Sequence, residues 1–167
     1  EGLRRDVHPG LDDLRGDGGL VVVWADDSAR IYGRIAARGG ALGGDGGNIE
    51  TSGKRFLDVS RVADASAPHG KGGLWLLDPN NVAITTAGPD ATPGNPDFVT
   101  NADSSTITVA TIKAALDNGI NVTITTSTGG LNTQAGDITL SNAINSVSAT
   151  DVTLTLTAHN DIKLNAG

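Results

Sequence analysis

The sequence predicts an all-β chain of many short strands around a thin aliphatic core. Phe, Trp and Tyr make up only 3% of the 167 residues, whereas Gly occurs 23 times, about twice its average usage. A glycine-rich element recurs in the first half of the chain, and apolar residues alternate with Thr in the second half. A core with so few aromatic side chains must be filled by layers of Val, Ile and Leu, which favours a narrow, repetitive cross-section.

The glycine element has the form Gly-x-Gly-Gly and recurs at intervals of 28 and 26 residues. Its three copies are 16–19, 44–47 and 70–73. A strand-like run follows each copy directly, at 20–24, 48–51 and 74–77. Glycine supplies positive φ and lets neighbouring backbones approach closely. The element therefore predicts a structural repeat of about 26–28 residues.

Short pairs of apolar residues separated by one polar residue mark the second half. The pairs are Val82/Ile84, Ile107/Val109, Val122/Ile124, Ile138/Leu140, Leu154/Leu156 and Ile162/Leu164. Thr flanks many of them, so that the period of two places apolar side chains on one face and Thr on the other. Turn-forming Ser, Asn, Asp and Gly separate the pairs. The pattern predicts one strand at each pair.

One short segment departs from the β pattern. Residues 111–118 contain alanines and other helix formers; Thr111 offers a cap, and Gly119 takes the C′ position. We expect a helical turn there, too short to form a second layer.

Two architectures fit many short strands with one apolar face, namely an antiparallel sandwich or barrel and a parallel β-solenoid. A sandwich is expected to show two-residue hairpin turns between strands, but Asp17-Gly18 and Asp45-Gly46 lie inside longer glycine clusters. The recurring element and the thin core favour the solenoid. Coils of roughly 20–28 residues would give about six to eight layers and a rod of about 30–40 Å.

The net charge of −7 is unevenly distributed. Residues 1–77 carry 11 acidic and 10 basic side chains, whereas residues 78–167 carry 8 and 2. A base-poor acidic surface repels nucleic acid and anionic lipid, so neither is an expected partner. No apolar run is long enough to span a bilayer, and no signal peptide is present. If the protein is exported, its targeting signal is expected upstream of Glu1.

Several blocks resemble one family of large bacterial proteins. GGLVVVWADDSARIYGRIAARGGALGGDGGNIETSGKRFLDV at 18–59 and GKGGLWLLDPNNVAIT at 70–85 are similar to segments of filamentous-haemagglutinin-like exoproteins. TITVATIKAALDNGINVTITT at 106–126, GDITL at 136–140 and LTLTAHNDIKLNAG at 154–167 resemble the same family. The most specific motif is Trp-Leu-Leu-Asp-Pro, in the second of these blocks.

The resemblance implies a right-handed parallel β-helix from a long extracellular protein, often exported by two-partner secretion. On this basis residues 16–167 are expected to form a β-solenoid segment, and residues 1–15 a polar N-terminal segment. Members act in adhesion, aggregation and biofilm formation. The expected location is extracellular or on the bacterial cell surface. The expected partners are neighbouring coils of the same long chain, a host or cell-surface glycan or protein, and other copies stacked end to end.

The sequence contains few candidates for metal binding. Gly43 to Asn48 resembles part of a calcium-binding glycine-rich nonapeptide, but lacks its Asp and its tandem copies, so a tight corner is the favoured interpretation. His8, His69 and His159 have no metal-ligand spacing. We predict no metal and no cofactor. Asn80, Asn81, Asn121 and Asn160 are expected to stack as side-chain ladders.

Catalytic candidates are equally weak, and we predict no catalytic residue. Adjacent carboxylates, Asp12-Asp13 and Asp26-Asp27, point to opposite faces of a strand and make poor pairs. The serines considered as nucleophiles, Ser28, Ser52 and Ser60, lack a Gly-x-Ser-x-Gly context. Trp24 and Trp75 are assigned to packing. The basic cluster of Arg30, Arg34 and Arg38 is assigned to a solvated strand face.

The predicted function is a structural or adhesive stalk without catalysis. One alternative is a polysaccharide-binding or polysaccharide-cleaving β-helix protein, which convergent carboxylates and basic residues from different coils would favour. Another is a self-assembling extracellular filament subunit. A flat face of Thr, Asn and Gly would favour the stalk.

Overall fold

A computed structural model describes residues 14–87, 104–128 and 133–166. It contains short strands and one helix. The strands are β1 (Leu20–Ala25), β2 (Ser28–Ile31), β3 (Asn48–Gly53), β4 (Phe56–Val59), β5 (Leu74–Asp78), β6 (Val82–Thr85), β7 (Ser105–Thr108), β8 (Asn121–Thr125), β9 (Ile138–Leu140), β10 (Leu154–Thr157) and β11 (Ile162–Leu164). The helix, α1 (Val109–Asp117), lies between β7 and β8. The chain is therefore predominantly β, as predicted.

The strands form three parallel sheets. The largest has the order β1-β3-β5-β8-β10, the second the order β11-β9-β6-β7, and the third consists of β2 and β4. Every ladder between the described strands is parallel. The antiparallel sandwich is therefore wrong for this part of the chain, because its strands would pair as hairpins.

The glycine elements lie side by side immediately before the first three strands of the largest sheet. The register aligns Leu20 with Asn48 and Asn48 with Leu74, as the intervals of 28 and 26 residues predict. A Cβ on Gly73 would overlap the carbonyl oxygen of Gly47, and one on Gly47 that of Gly19. Close approach of backbones therefore requires these glycines.

Positive φ explains less of the glycine pattern than the sequence suggested. Among the described residues it occurs at Gly43, Gly44, Gly119 and Gly136. Only Gly44 of these belongs to a glycine element. The elements are needed mainly for their missing side chains.

The paired apolar residues of the second half lie in strands, with one exception. Val82 aligns with Ile138 and Ile138 with Ile162 across the second sheet. Ile107 lies in β7, but Val109 begins α1. The pair 107/109 therefore marks the junction of a strand and a helix, because the chain turns after Thr108.

The core is aliphatic, as predicted, with two large aromatic exceptions. Inward-facing residues of the largest sheet include Ile49, Leu77, Val122 and Ile124, all at most 1% exposed. Trp75 and Phe56 are equally buried.

Helix α1 is longer than the predicted turn at 111–118 and begins earlier. Its N-cap is Thr108, whose Oγ1 accepts a hydrogen bond from the Thr111 backbone N–H at 3.1 Å. The assignment of Thr111 as the cap is therefore wrong by one helical turn. Gly119 follows the C-cap Asn118 with φ of 75°, as expected for C′. Ile112, with other apolar residues of α1, is buried.

The repeat lengthens after the second interval. Strands of the largest sheet begin at residues 20, 48, 74, 121 and 154. The third interval contains β6, β7 and α1, and the fourth contains β9. Five strands about 4.8 Å apart give a sheet roughly 19 Å across, narrower than the predicted rod because these later intervals exceed 28 residues.

Candidate binding surface

Aspartates of the glycine elements accept hydrogen bonds from backbone N–H groups. Asp17 Oδ1 accepts a hydrogen bond from the Asp45 N–H at 2.7 Å, and Asp45 Oδ1 accepts one from the Lys71 N–H at 2.7 Å. The three residues are the second positions of successive elements. Each aspartate thus links one repeat to the next, and this is the geometry of the segment 43–48 that resembles a calcium-binding nonapeptide.

The asparagines expected to stack with one another instead bind other groups. Asn81 Oδ1 accepts from the backbone N–H of Asp137 at 2.8 Å, and Asn121 Oδ1 from that of Thr153 at 2.9 Å. Asn160 Nδ2 donates to the Asp137 carboxylate at 2.8 Å. Asn80 Oδ1 accepts from the Ser127 hydroxyl. The ladder prediction is wrong for Asn81, Asn121 and Asn160, because the first two amide oxygens accept from backbone N–H groups and the third side chain donates to a carboxylate.

The two tryptophans have different environments. Trp75 is buried, and its Nε1 donates to Thr51 Oγ1 at 3.0 Å, which confirms the packing interpretation. Trp24 is 50% exposed on β1, and the Lys54 ammonium lies 5.0 Å from the centre of its ring. A cation over one face of an indole is attracted by its π system. The half of the Trp24 residue that is exposed can still contact solvent or a ligand.

Two carboxylates lie near this tryptophan on the outer face of the largest sheet. Ser52 aligns with Trp24 on one side and with Asp78 on the other, and its hydroxyl donates to Glu50 at 2.8 Å. Burial raises the pKa of Asp78, Lys54 opposes that shift, and Glu50 adds to it. Two carboxylates are also what most glycoside-cleaving enzymes use.

A polar cluster lies on the small sheet of β2 and β4. Arg30 aligns with Asp58 and stacks over the Phe56 ring at 5.5 Å. The Tyr32 hydroxyl donates to Asp58 at 2.7 Å. Burial, followed by this bond to Asp58, raises the pKa of Tyr32 to about 12. Burial also raises the pKa of Asp58, although the Tyr32 bond and the Arg30 charge oppose that shift.

Asp26 and Asp27 occupy the bend between β1 and β2, as expected for residues that favour turns. Asp27 Oδ1 accepts from Arg55 Nε at 2.5 Å, and Oδ2 accepts from Arg55 Nη2 at 3.0 Å. Ser28 donates to the same carboxylate. These Arg55 and Ser28 hydrogen bonds lower the pKa of Asp27 to about 2. The arrangement is an exposed ion pair rather than a catalytic pair.

Three arginines line an open groove of about 490 Å³. We call it the arginine groove; its residues are Arg34, Arg38, Arg61, Val62, Asp64, Ser66, Asn118 and Ile120. Ala36 bridges to Asp64 in parallel, which places the segment after β2 beside the segment after β4. Asn118 and Ile120 come from the end of α1. Residues far apart in sequence therefore converge at this groove.

Asp64 fixes two of the arginines. Its Oδ2 lies 3.2 Å from Arg34 Nη2 and 3.6 Å from Arg38 Nε. Ser66 donates to Oδ1 at 2.6 Å. Burial alone would raise the pKa of Asp64, but the Ser66 hydrogen bonds and the arginine charges outweigh it and hold that pKa below its usual range. Asp64 is therefore an ionised carboxylate within a cationic groove.

The prediction of a solvated strand face holds in part, because Arg34 and Arg38 are exposed but lie after β2 rather than on a strand. Arg30 packs on an aromatic ring, while Arg34 and Arg38 enter the groove. Sequence reasoning missed Arg61 and Asp64. Their positions, 27 residues after Arg34 and 26 after Arg38, match the interval of the glycine element and could have indicated the convergence.

The remaining candidates are dispersed. His69 and His159 lie in separate connections, and Ser60 lies just after β4. Within the described ranges, no three His, Cys, Asp or Glu side chains are placed to hold a metal ion. His8, Asp12 and Asp13 lie outside the described residues.

Comparison with known proteins identifies no relative: no protein-family model matches the chain, and no curated protein matches it significantly. A search of the described residues for a helix of sufficient length and apolarity to cross a bilayer finds none.

Proposed function

We propose that this chain is a segment of a right-handed parallel β-solenoid in a secreted or cell-surface bacterial exoprotein of the filamentous-haemagglutinin-like type. In this role it is a structural or adhesive stalk without catalysis. The observation that supports the proposal is the five-stranded parallel sheet, in which sequence-remote strands pair in register from Leu20 to Thr157. The two further sheets are parallel as well, although in the second sheet β7 lies beyond β6 and so departs from chain order.

Such an arrangement suits a stalk because its stability is a sum of contacts between neighbouring repeats. Among the described strands, β1 and β10 each pair on one side only. Further layers of the same kind can therefore be added at either end without enlarging the core. The outer face of β8 and β10 is a row of threonines with Asn121, which resembles the flat polar face expected of a passive surface.

A test of this role begins with where the chain resides and in what size of polypeptide. An antibody raised against the folded chain is applied to intact source cells, to their medium and to lysates. We expect labelling of intact cells or medium, loss of the cell-bound signal after external protease, and a polypeptide much larger than the 16.9 kDa chain. A band of that mass confined to the cytosol would refute the proposal.

A second candidate function is polysaccharide cleavage or binding, which Glu50, Asp78 and the half-exposed Trp24 favour. The discriminating measurement is release of reducing ends from a panel of neutral and acidic polysaccharides. A stalk releases none. Release that is abolished in both Glu50→Gln and Asp78→Asn, but persists in the matched variant Asp17→Asn, would establish the enzyme and remove the non-catalytic stalk.

A further inference from the structure

The arginine groove contains more positive than negative side chains. Three guanidinium groups face one carboxylate, and Asp64 already pairs with Arg34 and Arg38. Within the described part of the chain, the Arg61 side chain has no hydrogen bond or ion pair, and it is exposed. The groove therefore has about two positive charges in excess, in a chain whose net charge is −7.

The shape of the groove suits a ligand with one anionic group and a neutral body. Guanidinium groups present a planar fork that matches a carboxylate with two parallel hydrogen bonds. The half-buried Val62 and the amide of Asn118 lie beside the arginines, and the buried Ile120 lies beneath them. A volume of about 490 Å³ falls in the range of small-ligand sites, which are roughly 300–1,000 Å³. Apolar, amide and cationic groups together fit a sugar ring that carries a carboxylate.

We propose that the arginine groove binds a uronate carboxylate of an acidic polysaccharide, with Arg61 as its principal contact and Arg34 and Arg38 held in place by Asp64. The inference deepens the proposed adhesive role and rests on it for the source of the ligand. An acidic polysaccharide separates its carboxylates by the hydroxyl-rich body of each sugar ring. One carboxylate can therefore enter the groove while neutral parts of the polymer lie along the acidic remainder of the surface.

Nucleic acid fits these observations less well. Duplex DNA carries a charge about every 1.7 Å along its axis, and residues 78–167 contain only Lys113 and Lys163 as basic groups. A continuous phosphate backbone would thus be repelled on leaving the groove. An acidic peptide has the same disadvantage where its carboxylates are consecutive. Both serve as competing ligands in the test.

The test uses the whole chain and trigalacturonate, with its fully methyl-esterified form as the neutral ligand of the same shape. Binding is measured by calorimetry at low and at physiological salt. The variant is Arg61→Ala, and the matched control is Lys71→Ala, which also removes one exposed cation but does not line the groove. Circular dichroism and the urea midpoint establish that both variants fold.

We expect Arg61→Ala to weaken trigalacturonate binding about tenfold or more, as for loss of a charged hydrogen bond, and Lys71→Ala by less than about twofold. Arg61→Lys should give intermediate binding, because it keeps the charge and loses the fork. The ester should not bind. The inference is overturned by equal binding of Arg61→Ala, equal binding of the ester, no binding at all, or tighter binding of a single-stranded oligonucleotide or oligo-aspartate.

The two proposals fail in different ways. A chain found on the cell surface that ignores trigalacturonate removes the ligand assignment and leaves the stalk. A cytosolic chain that binds trigalacturonate through Arg61 refutes the proposed exoprotein and retains the ligand assignment of the groove.

Discussion

Individual glycines limit how closely the repeats pack, and the limit differs between equivalent positions. Gly47 and Gly73 each lie against the carbonyl of the preceding element, whereas a Cβ on Gly19 would meet nothing within 4 Å. Gly19 occupies the same place in its element, but β1 has no described strand on its other side. Replacement of glycine by alanine therefore has different consequences at Gly19 and at Gly73.

We expect Gly73→Ala to lower the free energy of unfolding by about 1–3 kcal/mol or more, because the added Cβ forces backbones apart. Gly19→Ala should change it by at most about 0.5 kcal/mol. Urea unfolding monitored by tryptophan fluorescence measures both, because the buried Trp75 becomes exposed. Equal effects of the two substitutions would show that close approach is not what the elements provide.

The aspartate of the second element acts through its oxygen rather than through its charge. Asp45→Ala removes the acceptor of the Lys71 N–H and should cost about 0.5–1.5 kcal/mol, the contribution of one hydrogen bond. Asp45→Asn retains Oδ1 and should be close to wild type. Added calcium should leave the urea midpoint unchanged. A calcium-dependent midpoint that is lost in Asp45→Asn would instead establish the nonapeptide-like site.

At the scale of elements, the strands of the two larger sheets could be predicted because their signals are local, whereas β2 and β4 carry neither signal. The glycine elements and the alternation with Thr each lie within a few residues of the strand they mark. The site was harder to predict, since Arg34 and Arg38 reach Asp64 only through the register between the segments after β2 and β4. The length of the third interval was unpredictable for a related reason. Periodicity does not specify an insertion that contains β6, β7 and α1.

The start of α1 illustrates a second limit. Thr108 and Thr111 are the same residue type within one turn of each other, so composition cannot rank them as caps. Their geometry does, because Thr108 has extended φ and ψ of −77° and 143° and accepts the Thr111 N–H. The backbone conformation, rather than the side chain, distinguishes the two.

We expect Thr108→Ala to destabilise the chain by about 1 kcal/mol, as for loss of an N-cap. Thr111→Ala removes only a contact between the two hydroxyl groups at 2.9 Å and introduces a better helix former. Its effect should lie within about 0.5 kcal/mol. Chemical denaturation measures the free energy of unfolding of both variants. The reverse order would place the cap at Thr111.

At the scale of the whole molecule, ion-paired aspartates contribute to the response to acid, and in three of them the pKa is lowered to about 2. Hydrogen bonds from Arg55, Lys113 and Lys163, respectively, are the main causes that lower the pKa values of Asp27, Asp117 and Asp137 to about 2. In the unfolded chain an aspartate titrates near 3.9. The stabilisation from these groups is therefore complete above about pH 4 and is lost as the pH falls towards 2.

We expect the urea midpoint to fall between pH 4 and pH 2, and to fall less at high salt because the pairs are largely exposed. Asp58 and Asp78 act in the opposite sense: burial raises their pKa values, so protonation relieves a cost as the pH falls. The triple variant Asp27→Asn, Asp117→Asn, Asp137→Asn should lose most of the fall. A midpoint independent of pH between 4 and 2 would contradict the assignment.

The ends of the largest sheet are the surfaces at which we expect copies of the chain to meet. Leu20, Val22 and Trp24 on β1 are 71%, 52% and 50% exposed, and β10 presents a second edge at the other end of the sheet. Exposed edges are templates for further strand pairing. Pairing of β10 from one copy with β1 of the next is head-to-tail, and such contacts generate open chains rather than closed dimers.

We therefore expect the chain to associate end to end as its concentration rises, which sedimentation velocity measures over a wide concentration range. Val22→Lys places a charge on the β1 edge and should shift the distribution towards monomer. Thr123→Lys is the matched control, because it adds the same charge to the outer face of the same sheet but lies on β8, which pairs on both sides. Association that stops at a dimer indicates closed rather than head-to-tail contacts, and association blocked equally by both lysines indicates general charge repulsion. A wild-type chain that stays monomeric throughout means that its edges are protected.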